Sequence, residues 1–319
     1  MLLKNKIKVE RVVLPTPYPI GDVFCYIILD DPVTVIDVGV KTGEVEEVWK
    51  TALSRLGLSF KDVKRILLTH GHSDHFGFAR RFLELSGAVL YLHPNDFGKV
   101  INRKKYYISM SCILKELGVP ENYFPHFEAF LEKEGAFCEN LDEDVLNPIV
   151  EGDKIEFEHF SLKVIHTPGH SSGHVIFLFE DEAFTGDLIF SNMTPDPIID
   201  VENGVRVKTS LQYFNSIEKV LSLGVDVFYP SHREEKGKFL EAVENLKMRY
   251  EIKERIIYDV FKEKGFLTPF QLACELYPEV SPKEILIILS DVIGRLDIME
   301  EKGIVVCQKR DGLFYYCLS

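Results

Sequence analysis

The 319-residue sequence has one tryptophan, three glutamines and six cysteines, none of them in a C-x-x-C pair. Cys25, Cys112, Cys138, Cys274, Cys307 and Cys317 lie scattered, which argues against a disulfide framework or a cysteine zinc module and suits reduced thiols. Nowhere do about 18 apolar residues run together, so no segment reads as a membrane span. Residues 1–13 hold two leucines followed by charges, without the apolar run of a signal peptide, and the expected location is the cytoplasm. Positive charge is also short. With 37 Lys+Arg against 50 Asp+Glu, the net charge is -13, which repels phosphate backbones and anionic membranes unless a local basic patch intervenes. Scarce glutamine beside plentiful Lys and Glu is a bias of heat-adapted proteins. What is present is ordinary. A chain that is 46% hydrophobic and 27% charged is neither disordered nor collagen-like, and its length suggests about two domains.

From Val9 to about Asp187, short runs rich in Val, Ile, Leu and Tyr alternate with segments of helical spacing such as Thr42 to Leu56 and Asp74 to Leu85. Strands with interleaved helices predict a layered α/β core. Residues of about 94–148 hold few strand-like runs and read as a helical insertion, with helices over Phe97 to Gly118 and Tyr123 to Gly135. Strand-like sequence then resumes and continues to VDVFYPSH. A long charged helix, about Gly237 to Lys264, leads into two further helices and a hairpin turning at Lys309-Arg310-Asp311-Gly312. That order is the order of a winged-helix module. The expected domains are therefore 1–236, holding the α/β core, and 237–319, winged-helix-like.

The chemistry is concentrated in T-H-G-H-S-D-H, Thr69 to His75, directly after the apolar run Arg65 to Leu68. His70, His72, Asp74 and His75 fall within six positions where a strand gives way to a helix. Alternate histidines leave an extended backbone on one side, while Asp74 and His75 turn toward a neighbouring position, which favours two adjacent metals over one. Imidazole with carboxylate suits zinc, with iron or manganese as alternatives. Three later segments add His170 in HTPGHSSGH, Asp187 in FTGDLIF and His232 in YPSH, each just beyond a predicted strand. Residues distant in sequence can thus converge on one rim of a sheet. His174, four positions past His170, is a further candidate for the same neighbourhood.

The order H-x-H-x-D-H, T-P-G-H, G-D and a final His after a strand resembles the metallo-beta-lactamase-fold hydrolases, and among them the branch with glyoxalase II and lactamase-like endoribonucleases. The resemblance spans about Val9 to Arg233 and implies an αββα four-layer fold. It further implies that His70, His72 and His170 bind one divalent metal, that Asp74, His75 and His232 bind a second, and that Asp187 bridges them. Asp37, in V-I-D-V-G, matches a position that supports the site by fixing a ligand imidazole. Two metals sharing a bridging water would yield hydroxide near neutral pH, with Asp74 orienting it or taking its proton. His72 stands where the diiron oxygen-reducing relatives carry Glu. Ser231 and Arg233 flank His232 where relatives usually have glycine.

The substrate is less legible. A thioester or related acyl substrate, as for hydroxyacylglutathione hydrolases, is the first expectation; a phosphodiester in single-stranded RNA is the alternative. Lys99, Arg103, Lys104, Lys105, Tyr106 and Tyr107 form a basic, aromatic cluster in the insertion that would suit a phosphate, a base or glutathione. The C-terminal unit has more acidic than basic side chains and places Glu284, Asp291 and Asp297 on its would-be reading helix, which argues against specific DNA binding. Its apolar run Ile285 to Leu289 suits packing on the catalytic domain or in a homodimer.

Overall fold

The computed structural model describes residues 7–319 apart from residues 192, 194–196, 203, 234–235 and 280. The chain runs β1 (Val9–Leu14), β2 (Val23–Ile28), β3 (Thr34–Ile36), α1 (Gly43–Arg55), β4 (Arg65–Leu67), α2 (Ser73–Phe76), α3 (Ala79–Ser86) and β5 (Val89–Leu92). The insertion follows as α4 (Phe97–Ile101), α5 (Arg103–Glu116) and α6 (Phe124–Gly135), and closes with β6 (Leu146–Pro148). Then come β7 (Lys154–Glu156), β8 (Ser161–His166), β9 (Val175–Phe179), β10 (Glu182–Gly186), the hairpin β11 (Asp200–Glu202) and β12 (Val205–Val207), α7 (Thr209–Ser222), β13 (Val227–Pro230) and β14 (Gly237–Lys238). The last part is α8 (Phe239–Lys264), α9 (Pro269–Leu276), α10 (Ile285–Glu301), β15 (Val305–Arg310) and β16 (Leu313–Leu318).

Strands β1 to β6 form one sheet in sequence order, antiparallel from β1 to β3 and parallel from β3 to β6. The second sheet has the order β14-β13-β10-β9-β8-β7, with β10 and β13 parallel. Strand β2 explains how the sheets stack. All six of its residues are buried because its side chains alternate between two apolar layers. Val23, Cys25 and Ile27 point to α1 and α3. Phe24, Tyr26 and Ile28 meet Val164, Phe177 and Phe184 of the second sheet. The far face of that sheet is covered by α7 and the start of α8 through Ile217, Phe239 and Val243. The result is the expected helix-sheet-sheet-helix layering.

Two expected helices are each divided. The helix over Asp74 to Leu85 becomes α2 and α3 at Phe78, which turns to ψ 0 and donates its N–H to the Gly39 carbonyl at 2.8 Å in place of a helical bond. The helix over Phe97 to Gly118 breaks at Asn102, whose side chain accepts from Lys105 N at 3.1 Å and caps α5. The C-terminal helices are not set apart from the rest. Leu272, Leu289 and Val292 share one core with Met110, Ile113 and Leu114 of α5, so the run Ile285 to Leu289 is largely used within the chain, with Ile287 exposed. Among the described residues no helix is long and apolar enough to cross a membrane.

Helix α1 anchors the first outer layer. Thr42 caps it by accepting from Val45 N, and Val45, Trp49 and Leu53 fall on one buried stripe. Trp49 is fully buried, packs edge-on to Phe82 and donates from Nε1 to the Val38 carbonyl at 2.9 Å. Trp49→Phe should cost about 1–3 kcal/mol because it strands that buried carbonyl, and Trp49→Ala about 3–5 kcal/mol; denaturant unfolding of the two variants checks the ranking.

Candidate metal centre

Each candidate ligand follows the C-terminal end of a strand: Thr69 to His75 after β4, His170 after β8, Asp187 after β10 and His232 after β13. The parallel pairs β3/β4 and β10/β13 bring these ends to one rim. Close passage of the chain is required there. At Gly186, with φ 50, a Cβ would stand 2.9 Å from His174 Nε2 and from Thr69 Cβ.

The structure brings all seven residues together in two overlapping groups. His72 Nδ1 lies 3.0 Å from His70 Nε2 and 3.0 Å from His170 Nε2. Nitrogens about 2.0–2.1 Å from a tetrahedral zinc stand roughly 3.3 Å apart, so this spacing matches a shared cation. In the second group, His232 Nε2 lies 3.4 Å from Asp74 Oδ2, and His75 Nε2 lies 3.8 Å from Asp74 Oδ1. Asp187 stands between them, with Oδ2 3.5 Å from both His75 Nε2 and His170 Nε2 and Oδ1 3.7 Å from His232 Nε2. His75 Nε2, His232 Nε2 and Asp187 Oδ1 are buried polar atoms without a hydrogen-bond partner. Buried polar atoms rarely stay unsatisfied. Imidazole and carboxylate atoms converging in this way fit divalent metal ions.

The outer ring nitrogens of His70, His75 and His232 are fixed by the fold. Asp37 Oδ2 accepts from His75 Nδ1 at 2.8 Å and from Thr69 Oγ1 at 2.8 Å, and Asp37 Oδ1 accepts from Thr69 N at 2.8 Å. With its own proton given to Asp37, Thr69 Oγ1 accepts from His70 Nδ1 at 3.0 Å. His232 Nδ1 donates to the Asp22 carbonyl at 2.8 Å. Beyond His232, Arg233 adopts φ 74, a left-handed conformation that glycine takes at no steric cost.

Charge is balanced inside the cluster. Burial pulls the imidazoles of His70, His72 and His170 below the usual histidine range. Burial has the same tendency at His75 and His232, but nearby carboxylates, Asp187 foremost, outweigh it and raise both. Conversely, burial favours the neutral form of Asp74 and Asp187, yet the His75 and His232 cations hold Asp74 at about 2 and Asp187 well below the usual carboxylate range.

The other candidate residues have different surroundings. His174 Nδ1 donates to Thr167 Oγ1 at 2.8 Å, and its Nε2 accepts from Asp187 N at 3.2 Å. Both ring nitrogens are therefore used internally, and His174 orients Asp187 rather than meeting a substrate. The basic cluster of the insertion is no free cationic patch. Lys99 is buried between Asp96 and Asp200, Arg103 pairs with Glu134 at 3.0 Å, Tyr106 donates to Asp200 and Tyr107 to Glu134. Only Lys104 and Lys105 of that run point outward. Asp96, Asp200, Glu134 and Tyr18 escaped the sequence reading. Glu134 Oε1 accepts from Ser73 Oγ at 2.8 Å, and Ser73 Oγ lies 2.7 Å from Tyr18 OH, beside the ligand run. Asp96 alone carried a signal, since HPND follows β5 as the ligands follow their own strands.

A two-sheet core with His and Asp ligands collected at one rim defines a metal-binding centre of hydrolase type. The sequence profile of the Metallo-beta-lactamase superfamily matches residues 18–232, and the chain belongs to that superfamily. It is similar to the probable metallo-hydrolase YqjP of Bacillus subtilis (strain 168), with 26% identity over 317 residues covering 95% of each chain. It is also similar to the hydroxyacylglutathione hydrolase GloC of Haemophilus influenzae, with 28% identity over 170 residues covering 52% of this chain and 66% of that one. The crystal structure of the metallo-beta-lactamase family protein TTHA1429 from Thermus thermophilus shares the fold, with a TM-score of 0.83, 22% identity and 98% coverage of both chains.

Because nearby carboxylates raise His75 and His232, protons they hold in the metal-free protein must be released to bind a cation. Metal affinity should therefore fall as pH drops below their raised values. Calorimetric titration with zinc in buffers of different ionisation enthalpy should register proton release that grows as the pH is lowered.

Proposed function

We propose that this chain is a dinuclear metal-dependent hydrolase that cleaves a thioester or related acyl bond, as a hydroxyacylglutathione hydrolase does, with zinc as the first choice of metal and iron or manganese as substitutes. The observation that carries the reading is Asp187, whose Oδ2 stands 3.5 Å from a nitrogen of each ligand group. Divalent cations held there would lower the pKa of water toward neutrality and polarise the carbonyl under attack. Asp187 keeps the two groups in register, and His174 keeps Asp187 in place through its backbone N–H. Asp74 is the ligand carboxylate nearest solvent, its side chain 13% exposed, and serves to orient the attacking water and receive its proton.

The acyl substrate is favoured by charge. Lys99 and Arg103 are neutralised internally, Lys309 on the terminal hairpin pairs with Glu116, and the whole chain is acidic. The similarity to GloC points the same way. The phosphodiester reading, with single-stranded RNA as substrate, retains Lys104 and Lys105, which are exposed at the start of α5. The order of α8, α9, α10 and the hairpin supports reading residues 237–319 as a winged-helix unit. Its acidic groups Asp291 and Asp297 face Arg295 and Arg206 within the chain, which suits packing rather than nucleic-acid reading.

Zinc- or manganese-loaded protein should hydrolyse lactoylglutathione and leave a labelled single-stranded RNA intact. Asp187→Ala should lower thioester turnover by at least roughly 100-fold, more than the loss of an outer partner of a ligand costs. The double variant Lys104→Gln/Lys105→Gln should leave both turnover and its salt dependence unchanged. RNA cleavage with the thioester untouched would overturn the acyl reading.

A further inference from the structure

A buried cluster of charge next to the centre takes no part in the chemistry proposed above. Asp96 lies in the turn after β5 and is fully buried. Its Oδ2 accepts from Gly71 N at 2.7 Å and from Ser171 Oγ at 2.7 Å, and its Oδ1 accepts from Gly173 N at 3.0 Å. Gly71 separates His70 from His72, and Ser171 follows His170. One carboxylate is thus bonded to both ligand-bearing loops, which arrive from different sheets. The fit is close: a Cβ on Gly173 would stand 2.7 Å from the backbone nitrogen of Asp96. Lys99, one helical turn on, places Nζ 3.0 Å from Asp96 Oδ1 and 2.6 Å from Asp200 Oδ2. Asp200 in turn accepts from Ser172 N at 2.9 Å and from Tyr106 OH at 3.1 Å. Its neighbour Ile199 donates from N to Ser290 Oγ of α10 at 2.9 Å.

We propose that Asp96, paired with Lys99, is a positioning residue that sets the distance between His170 and the His70/His72 pair. The inference rests on the reading that these three imidazoles hold a metal. The geometry explains why a carboxylate is needed. Gly71 and Gly173 each offer an N–H, Ser171 offers a hydroxyl and Lys99 an ammonium, so four donors meet two acceptor oxygens. Asparagine would present one oxygen and turn an NH2 toward donors. Lys99 cancels the buried charge, and its second partner, Asp200, extends the tie to Ser172 of the same loop. Through Ile199 the tie continues to α10, so the C-terminal helices brace the loop that carries His170.

Equilibrium titration with Co2+, followed by visible absorption, tests the inference on the full chain. Asp96→Asn should bind one cobalt about 10–100-fold more weakly than wild type, as loss of a partner outside the ligand shell does, and should alter the intensity of the d–d bands. Ser171→Ala removes only one donor and should shift the same binding step by a smaller factor; it decides the matter if Asp96→Asn does not fold. Leu53→Ala, a destabilised control buried in the last turn of α1, should leave affinity and spectrum unchanged. Wild-type affinity and bands in Ser171→Ala and in folded Asp96→Asn would overturn the positioning role. An equal loss in Leu53→Ala would overturn it too. A wild-type chain that takes up no cobalt would instead overturn the metal reading itself.

Discussion

The carboxylate of Asp37 is the interaction on which the centre depends. It lies just past β3 at φ 56, a left-handed conformation that costs a non-glycine residue about 1–3 kcal/mol. Three hydrogen bonds of 2.8 Å offset that cost, from Thr69 N, Thr69 Oγ1 and His75 Nδ1. Hydrogen bonds to a charged group contribute about 1.5–3 kcal/mol each. The same contacts decide which way the ligands face. With Nδ1 of His75 held by Asp37 and Nδ1 of His70 held by Thr69, both rings are left to present Nε2 inward. The short strands β3 and β4 end side by side, and Asp37 N donates to the Leu67 carbonyl at 2.9 Å, so the pairing of the sheet passes directly into the orientation of the ligands.

Crowding so many polar atoms into a largely buried cluster works because their charges are divided by sign. The side formed by His70, His72 and His170 favours neutral imidazoles, while His75 and His232 lie among the carboxylates Asp37, Asp74 and Asp187. Neutral imidazole is the form that binds a metal, whereas an imidazolium must first lose its proton. The two groups therefore favour different protonation states although Asp187 stands close to both. This asymmetry comes from the protein, since it follows from which strand ends supply carboxylates.

The local part of this design was legible in the sequence. Thr69 to His75 carries four ligands within one strand-to-helix transition, and His170, Asp187 and His232 each follow an apolar run, so the rule that ligands sit past strand ends located them. The α/β core was legible because strand-like runs alternate with helical spacing, whereas the four-layer arrangement followed from the family resemblance. What could not be read was long-range. Lys99 and Arg103 look like free cations because their partners Asp200 and Glu134 lie 101 and 31 residues away. Asp200 opens β11, a strand too short to show a pattern, and Asp22 contributes only a backbone carbonyl, which leaves no trace in side-chain chemistry. The breaks at Phe78 and Asn102 were equally hidden, since helical spacing persists across both while the N–H of Phe78 is drawn to the distant carbonyl of Gly39.

The insertion shows why such a cluster forms at all. A centre assembled from two sheets needs a tie between loops whose free groups at the join are mainly backbone N–H. Only an acceptor with several lone pairs satisfies them, and a buried carboxylate in turn requires a cation. Asp96 and Lys99 meet those two requirements, and Arg103 with Glu134 repeats the pairing beside Ser73. The positive side chains that the sequence sets next to the centre are thereby consumed in holding it together.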